Sequence, residues 1–272
     1  MRFSIDLIPH ARALLAALAC AGLFVQATAV AAPGADDPGF KSCVKCHDET
    51  SEHAVLSILK TKHGVIADPR TPMANGSCVA CHGPSEAHLD GDGENRPAPD
   101  ITFDEADATA GNAQCQTCHQ GSQLTHWQGS VHQMENVSCA SCHDSHAASE
   151  PVFDPASQVQ VCIACHTDQK TDLFKPFRHP LREGEMACSD CHSPHGSTSE
   201  SQLVRNTTNE TCWTCHADKR GPMLWEHQPV SEDCTICHSP HGSVHAGMLQ
   251  QRGPWLCQTC HMANQHPSTA YS

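Results

Sequence analysis

Residues 188–197 read CSDCHSPHGS, and residues 234–243 read CTICHSPHGS. Both copies place Ser-Pro-His-Gly directly after Cys-x-x-Cys-His. The Cys-x-x-Cys-His part recurs along the whole chain, starting at Cys43, Cys78, Cys115, Cys139, Cys162, Cys188, Cys212, Cys234 and Cys257. These nine motifs use 18 of the 19 cysteines. The spacing is the attachment signature of c-type haem. Two thiols on one helical turn add to the porphyrin vinyl groups, and the adjacent histidine ligates the iron. Zinc ribbons need two Cys pairs per metal and no trailing His. A disulfide framework, the ordinary expectation for an exported Cys-rich chain, gives no reason for nine identical spacings.

The motifs therefore predict nine covalently attached haems c. The thioether cysteines are Cys43 and Cys46, Cys78 and Cys81, Cys115 and Cys118, Cys139 and Cys142, Cys162 and Cys165, Cys188 and Cys191, Cys212 and Cys215, Cys234 and Cys237, and Cys257 and Cys260. The iron-ligating motif histidines are His47, His82, His119, His143, His166, His192, His216, His238 and His261.

The amino end reads as a secretory signal over residues 1–31. Arg2 and Arg12 charge its start, Ala13 to Val25 is its apolar run, and Ala29-Val30-Ala31 is a small-x-small cleavage site. Cys20 sits within it and is expected to leave with it. Haem attachment on the far side of a membrane fits an exported chain, and the expected location is the periplasm. No other apolar stretch is long enough to span a bilayer. Net charge is -14, and removal of Arg2, Arg12 and Asp6 makes it one unit more negative. Such a surface is a poor match for nucleic acid.

Residues 32–272 hold about 27 residues per motif. Aromatics are 4% of the chain, with one tyrosine, so large side chains are too few for an ordinary core. The predicted fold is a multihaem cytochrome c: little regular secondary structure, short α-helices around a serial stack of haems, and no sheet. The strongest helix candidate is 50–63, with Ala54, Val55, Ile58 and Leu59 as an apolar stripe and Gly64 as its cap. The motifs group into pairs over 43–82, 115–146, 162–195 and 212–241, with an incomplete fifth over 257–272. An acidic insertion over 83–113 reads as a solvated loop, because Asn95 stands where a calcium loop requires Gly.

A haem iron has a second axial position. An open one permits catalysis, whereas two protein ligands make an electron carrier. Outside the motifs and His10, twelve of the 22 histidines remain. Each complete pair has one just upstream of its second motif (His63, His132, His179, His227) and one just downstream (His88, His146, His195, His241). His266 occupies the upstream slot of the fifth pair. These nine form the predicted distal set, with His53, His126 and His245 in reserve. Methionine recurs at no fixed offset. Which distal His serves which haem is not legible from spacing.

The paired units, Ser-Val-His at 130–132, Phe-Arg-His-Pro at 177–180, the Cys-His-Ser-Pro-His-Gly repeats and CQTCHMANQHPSTAY at 257–271 resemble the MtrA/DmsE family of periplasmic decahaem c-type cytochromes. The similarity runs from about Cys43 onward. Nine motifs are present, and the tenth would follow His266. The resemblance implies a non-enzymatic electron carrier in an outer-membrane β-barrel porin, taking electrons from a periplasmic or inner-membrane donor and meeting an extracellular multihaem cytochrome. The alternatives are a soluble periplasmic shuttle and a nitrite- or hydroxylamine-type oxidoreductase. The latter class uses a lysine-ligated or open haem, and no Cys-x-x-Cys-Lys occurs here.

Overall fold

Odd- and even-numbered motifs fold differently, and their alternation builds the molecule. The computed structural model describes residues 38–51, 54–103 and 108–261. The expected signal peptide, Cys20, His53 and His266 lie outside the described residues. In odd motifs the first cysteine sits at or near the end of an α-helix: Pro38–Cys43, Ala108–Gln116, Pro155–Ile163, Thr208–Trp213 and Trp255–Gln258. In even motifs it opens a turn: Val79–His82 follows Cys78, and the 3₁₀ turns Cys139–Ser141, Cys188–Asp190 and Cys234–Ile236 begin on the cysteine itself.

One hydrogen-bond pattern joins all nine motifs. The carbonyl of the first cysteine accepts from the second cysteine's N–H at 3.1–3.3 Å and from the histidine's N–H at 2.9–3.0 Å. This single turn brings both thiols and the imidazole together, which is what the two-residue spacing requires. The helices leading into odd motifs start on ordinary caps. Asp154 accepts from Ala156 N ahead of Pro155, and Thr207 accepts from Glu210 N.

The Ser-Pro-His-Gly segments are β-turns. Gly196 N donates to Ser193 O at 2.9 Å, and Gly242 N to Ser239 O at 3.1 Å. Ser, Pro and Gly at the first, second and fourth positions are the preferred residues of a type I turn. Both glycines have positive φ, and a Cβ on either would collide with a backbone carbonyl of an earlier repeat, His126 O or Asp172 O. The turn therefore docks tightly on the preceding chain, and only glycine permits it. In the looser copy at 142–146, Asp144 makes the turn instead, its carboxylate accepting from His146 N and Ala147 N.

Among the described residues the only β-pairing is three isolated antiparallel bridges, Phe177–Ser243, His192–Leu203 and His238–Leu249. The expected short-helix, sheet-free architecture is thus observed. The helix expected over 50–63 is not. Val55–Lys60 and Lys62–Gly64 are two 3₁₀ turns, broken at Thr61, which is extended and uses its hydroxyl to accept from His63 N. β-Branched Val55, Ile58 and Thr61 disfavour a continuous α-helix. Gly64 does not cap a helix; it is buried against the Leu59 backbone, where a Cβ would clash.

The protein core is small. Buried apolar side chains among the described residues are Met73, Ala108, Trp127, Val159, Ile163, Leu173, Leu181 and Ala187, and one cluster joins Val159, Ile163, Leu173 and Leu181. Phe153, Phe174, Met134 and Val244 are more than half exposed on the bare polypeptide. Burial on this scale does not offset the chain entropy of so many loops. The haem-free chain is therefore expected to be unfolded. Far-UV circular dichroism of polypeptide made without haem attachment should show a coil spectrum and no cooperative melt, where the matured protein melts cooperatively.

Candidate haem centres

Eight of the nine motif histidines face a second imidazole. The ring centroids are 6.1 Å apart for His47 and His88, 5.9 Å for His119 and His63, 6.2 Å for His82 and His146, and 6.0 Å for His166 and His132. They are 6.0 Å apart for His143 and His195, 6.2 Å for His216 and His179, 6.0 Å for His192 and His241, and 6.1 Å for His261 and His227. Two imidazoles each bound to one metal at about 2 Å place their centroids about 6 Å apart. The spacing is thus that of a bis-histidine iron, with a thiol pair beside each motif ring to tether the porphyrin. The residues present fit haem c.

The rings are aimed by second contacts that leave Nε2 for the metal. His82, His192 and His238 donate through Nδ1 to the carbonyls of Ile101, Ser201 and Gly247, and His143 donates to the Glu150 carboxylate at 2.8 Å. On the opposite side His88, His132 and His179 donate through Nδ1 to the carbonyls of Pro97, Pro194 and Pro240 at 2.7–2.9 Å. Such contacts fix the tautomer and orientation of a metal-ligating His. Pro194 and Pro240 belong to the Ser-Pro-His-Gly turns. Each turn therefore presents its own distal-slot ring, His195 or His241, and also orients one from the preceding repeat. Burial first, and the facing ring second, lower the pKa of His63, His146, His195 and His241, which keeps them in the neutral form a metal needs.

The partners follow two rules. An upstream-slot His faces the next odd motif: His63 with His119, His132 with His166, His179 with His216, His227 with His261. A downstream-slot His faces the preceding even motif: His146 with His82, His195 with His143, His241 with His192. His88 has no even motif before its own pair and instead faces His47, the first motif of the chain. His238 faces no imidazole among the described residues. Of the reserve histidines, His126 is exposed, and His245 donates its backbone N–H to Ser243 Oγ at 3.0 Å.

The cysteines alternate in the same serial way. Within the second, third and fourth pairs, the first cysteines meet. A thiol–thiol hydrogen bond raises the Cys115 pKa and lowers that of Cys139, and Cys162 and Cys188 repeat this. Burial, then Cys212, raises Cys234 to about 11. Between pairs, second cysteines lie within electrostatic reach of one another. Burial raises Cys81, Cys142 and Cys191, and the next contributions include Cys118, Cys165 and Cys215 respectively. The tether points of motifs two through eight thus follow one another in chain order. No described motif cysteine is in a disulfide, and no three His, Cys, Asp or Glu among the described residues converge as a metal cluster of the zinc type.

Side-chain amides lock the second, third and fourth pairs, a feature the motif spacing did not reveal. Asn112 Oδ1 accepts from Cys139 N at 2.7 Å while its amide donates to Val137 O. Asn209 repeats this on Cys234 N at 2.7 Å and Val230 O. Gln158 accepts from Ser189 N at 3.0 Å. The legible signal was an amide three or four residues before each of these odd motifs. The acidic insertion also does more than solvate a loop. Its helix Glu86–Asp90 carries His88, and Ser85 clasps Asp100 so that Ile101 reaches His82.

Comparison with known proteins agrees with this geometry. The doubled CXXCH motif model matches residues 179–221 and 227–266, and the model of NrfB-like c-type cytochromes matches 78–159. The multiheme cytochrome MtrA of Shewanella baltica is 47% identical over 236 residues, 86% of this chain and 69% of that one. The chain belongs to the MtrA family of multihaem cytochromes. The cytochrome c-type protein NrfB of Haemophilus influenzae is 30% identical over 154 residues, 47% of this chain and 65% of that one. An MtrA-type chain is an electron-transfer protein with covalently attached haem c. Each doubled-motif window opens on an upstream-slot His and contains the odd motif it faces, His179 with His216 and His227 with His261. Among the described residues no helix is long and apolar enough to cross a membrane.

The amide locks are testable alone. Asn209→Ala leaves the part-buried Cys234 N–H without its acceptor and should destabilise the matured protein by about 1–3 kcal/mol, read as a lower thermal midpoint with the haem content unchanged.

Proposed function

We propose that this chain is a periplasmic wire of nine haems, seated in an outer-membrane β-barrel porin as the inner part of a conduit to an extracellular multihaem cytochrome. Its electrons would come from a periplasmic or inner-membrane donor. The observation that carries the proposal is the serial order: eight facing ring pairs link the motifs in sequence, and tether cysteines of successive motifs interact in turn from Cys81 to Cys234. Haem supplies one-electron redox chemistry when bound. The chain supplies the positions. Motif and distal-slot histidines would fill both axial sites, and the Nδ1 contacts hold each ring in place. An iron with two imidazole ligands has no free position for substrate, which favours a carrier over an oxidoreductase.

Two measurements test this. The matured chain, reconstituted with an outer-membrane barrel partner in liposomes, should reduce an entrapped acceptor with external dithionite. Neither component alone should do so. Electron delivery only to soluble partners, without barrel association, would favour the periplasmic shuttle. Independently, His195→Met should shift one haem to higher potential, because His/Met ligation raises potential. Spectropotentiometry should then show about one ninth of the haem absorbance moving to higher potential, a share set by the nine motifs.

A further inference from the structure

The even-motif histidines all donate through Nδ1, but not to the same kind of acceptor. His82, His192 and His238 donate to the backbone carbonyls of Ile101, Ser201 and Gly247 at 2.8–3.1 Å. His143 donates to Oε2 of Glu150 at 2.8 Å. A carbonyl offers a partial negative charge, and a carboxylate a full one. His82 makes the comparison close, because both rings have a phenylalanine beside them. The Phe103 centroid lies 5.3 Å from that of His82, and the Phe153 centroid 5.5 Å from that of His143.

The segment around Glu150 is held for this contact. Glu150 heads the 3₁₀ turn Pro151–Phe153, and its carbonyl accepts from Phe153 N at 3.2 Å. The helix Pro155–Ile163 ties that turn down. Ser157 Oγ donates to Pro151 O and Gln158 Nε2 donates to Val152 O, both at 2.7 Å. The Glu150 side chain is 17% exposed, so water screens its charge only in part. The same carboxylate lies within electrostatic reach of His63, the ring that faces His119.

A hydrogen-bond acceptor on the outer nitrogen raises the basicity of a metal-ligating imidazole, and a full negative charge does so more than a carbonyl. A more basic ligand favours ferric over ferrous iron, and hydrogen bonding around the ligands is one of the levers on haem potential. We propose that Glu150 is a potential-setting residue, and that it makes the haem held by Cys139, Cys142 and His143 lower in potential than the equivalent haems at His82 and His192. This rests on bis-histidine ligation of those three haems. Reduction there adds one electron to the iron, breaks no bond and moves no proton. Of the three equivalent centres, the one at His143 accepts an electron least readily.

The test is spectropotentiometry of the matured protein with dithionite as reductant. Glu150→Gln leaves an acceptor for His143 and removes the charge. It should move about one ninth of the haem absorbance to higher potential, a share set by the nine motifs, with a smaller shift at the His119 haem. Glu185→Gln, which removes one exposed carboxylate elsewhere, should leave the titration unchanged. A second comparison leaves Glu150 in place. His146→Met, His195→Met and His241→Met should each lift one of the three haems, and the wild-type component lost in His195→Met should lie below the other two. A Glu150→Gln shift no larger than that of Glu185→Gln overturns the proposal, as does a His195 component at or above the other two. If bis-histidine ligation itself were wrong, the methionine variants would lift no component and the wild-type ferric electron paramagnetic resonance spectrum would show these haems as high-spin.

Discussion

The structure depends on two imidazoles held about 6 Å apart by different parts of the chain. A lone imidazole pair at that distance makes no contact and contributes nothing to stability. It becomes a bond only when a metal sits between the rings. The polypeptide is thus arranged around a gap, and its ordinary contacts set the width of that gap. Carbonyls at Pro194, Pro240, Ser201 and Ile101 hold the rings, the Ser-Pro-His-Gly turns hold two of those carbonyls, and Gly196 and Gly242 let the turns approach the preceding chain. The sparse apolar core follows from the same arrangement. With so few buried side chains, the tethered macrocycles are the remaining source of buried apolar surface.

Two pairings of the repeat interleave. By backbone locks and first-cysteine contacts, an odd motif belongs with the even motif after it, as Asn112, Gln158 and Asn209 show. By facing rings, an even motif's upstream histidine belongs with the odd motif that follows, as His179–His216 and His227–His261 show. Each unit is therefore tied to its predecessor by one set of bonds and to its successor by another. Solenoid repeats are joined through nearest-neighbour interfaces in a similar way, but here the interface is a coordination bond in waiting. A cut anywhere between the second and eighth motifs severs a ring pair, a sulfur contact or an amide lock.

Much of this was legible beforehand. Cys-x-x-Cys-His is strict because both thiols and the imidazole must emerge from one turn, so motif positions, cofactor class and sheet-free architecture could be read directly. The histidines placed beside even motifs by spacing are the ones found facing motif rings, apart from His266, which lies outside the described residues. The assignment of ring to ring was not legible, because it is made between residues about 30 to 60 apart in sequence and no local pattern encodes it. The 3₁₀ turns over 55–64 were missed for a related reason. The apolar stripe at helical spacing is real, but Thr61 and the close approach at Gly64 bend the chain so that His63 reaches a ring in the next pair.

The first pair solves the ring pairing differently from the others. Every interior unit gives one ring forward and one ring back. The first pair departs from this: His88 faces His47, a motif ring of its own pair. A longer insertion, with the helix Glu86–Asp90 and the Ser85–Asp100 clasp, places His88 opposite His47. This also explains why the first pair departs from the three-residue offset seen at His146, His195 and His241. The extra residues of the 83–113 insertion are what brings a histidine within the first pair to the His47 ring. Loop length is free to vary where a ring is supplied within its own pair, as here, and is constrained where the ring comes from a neighbouring unit at the three-residue offset of His146, His195 and His241.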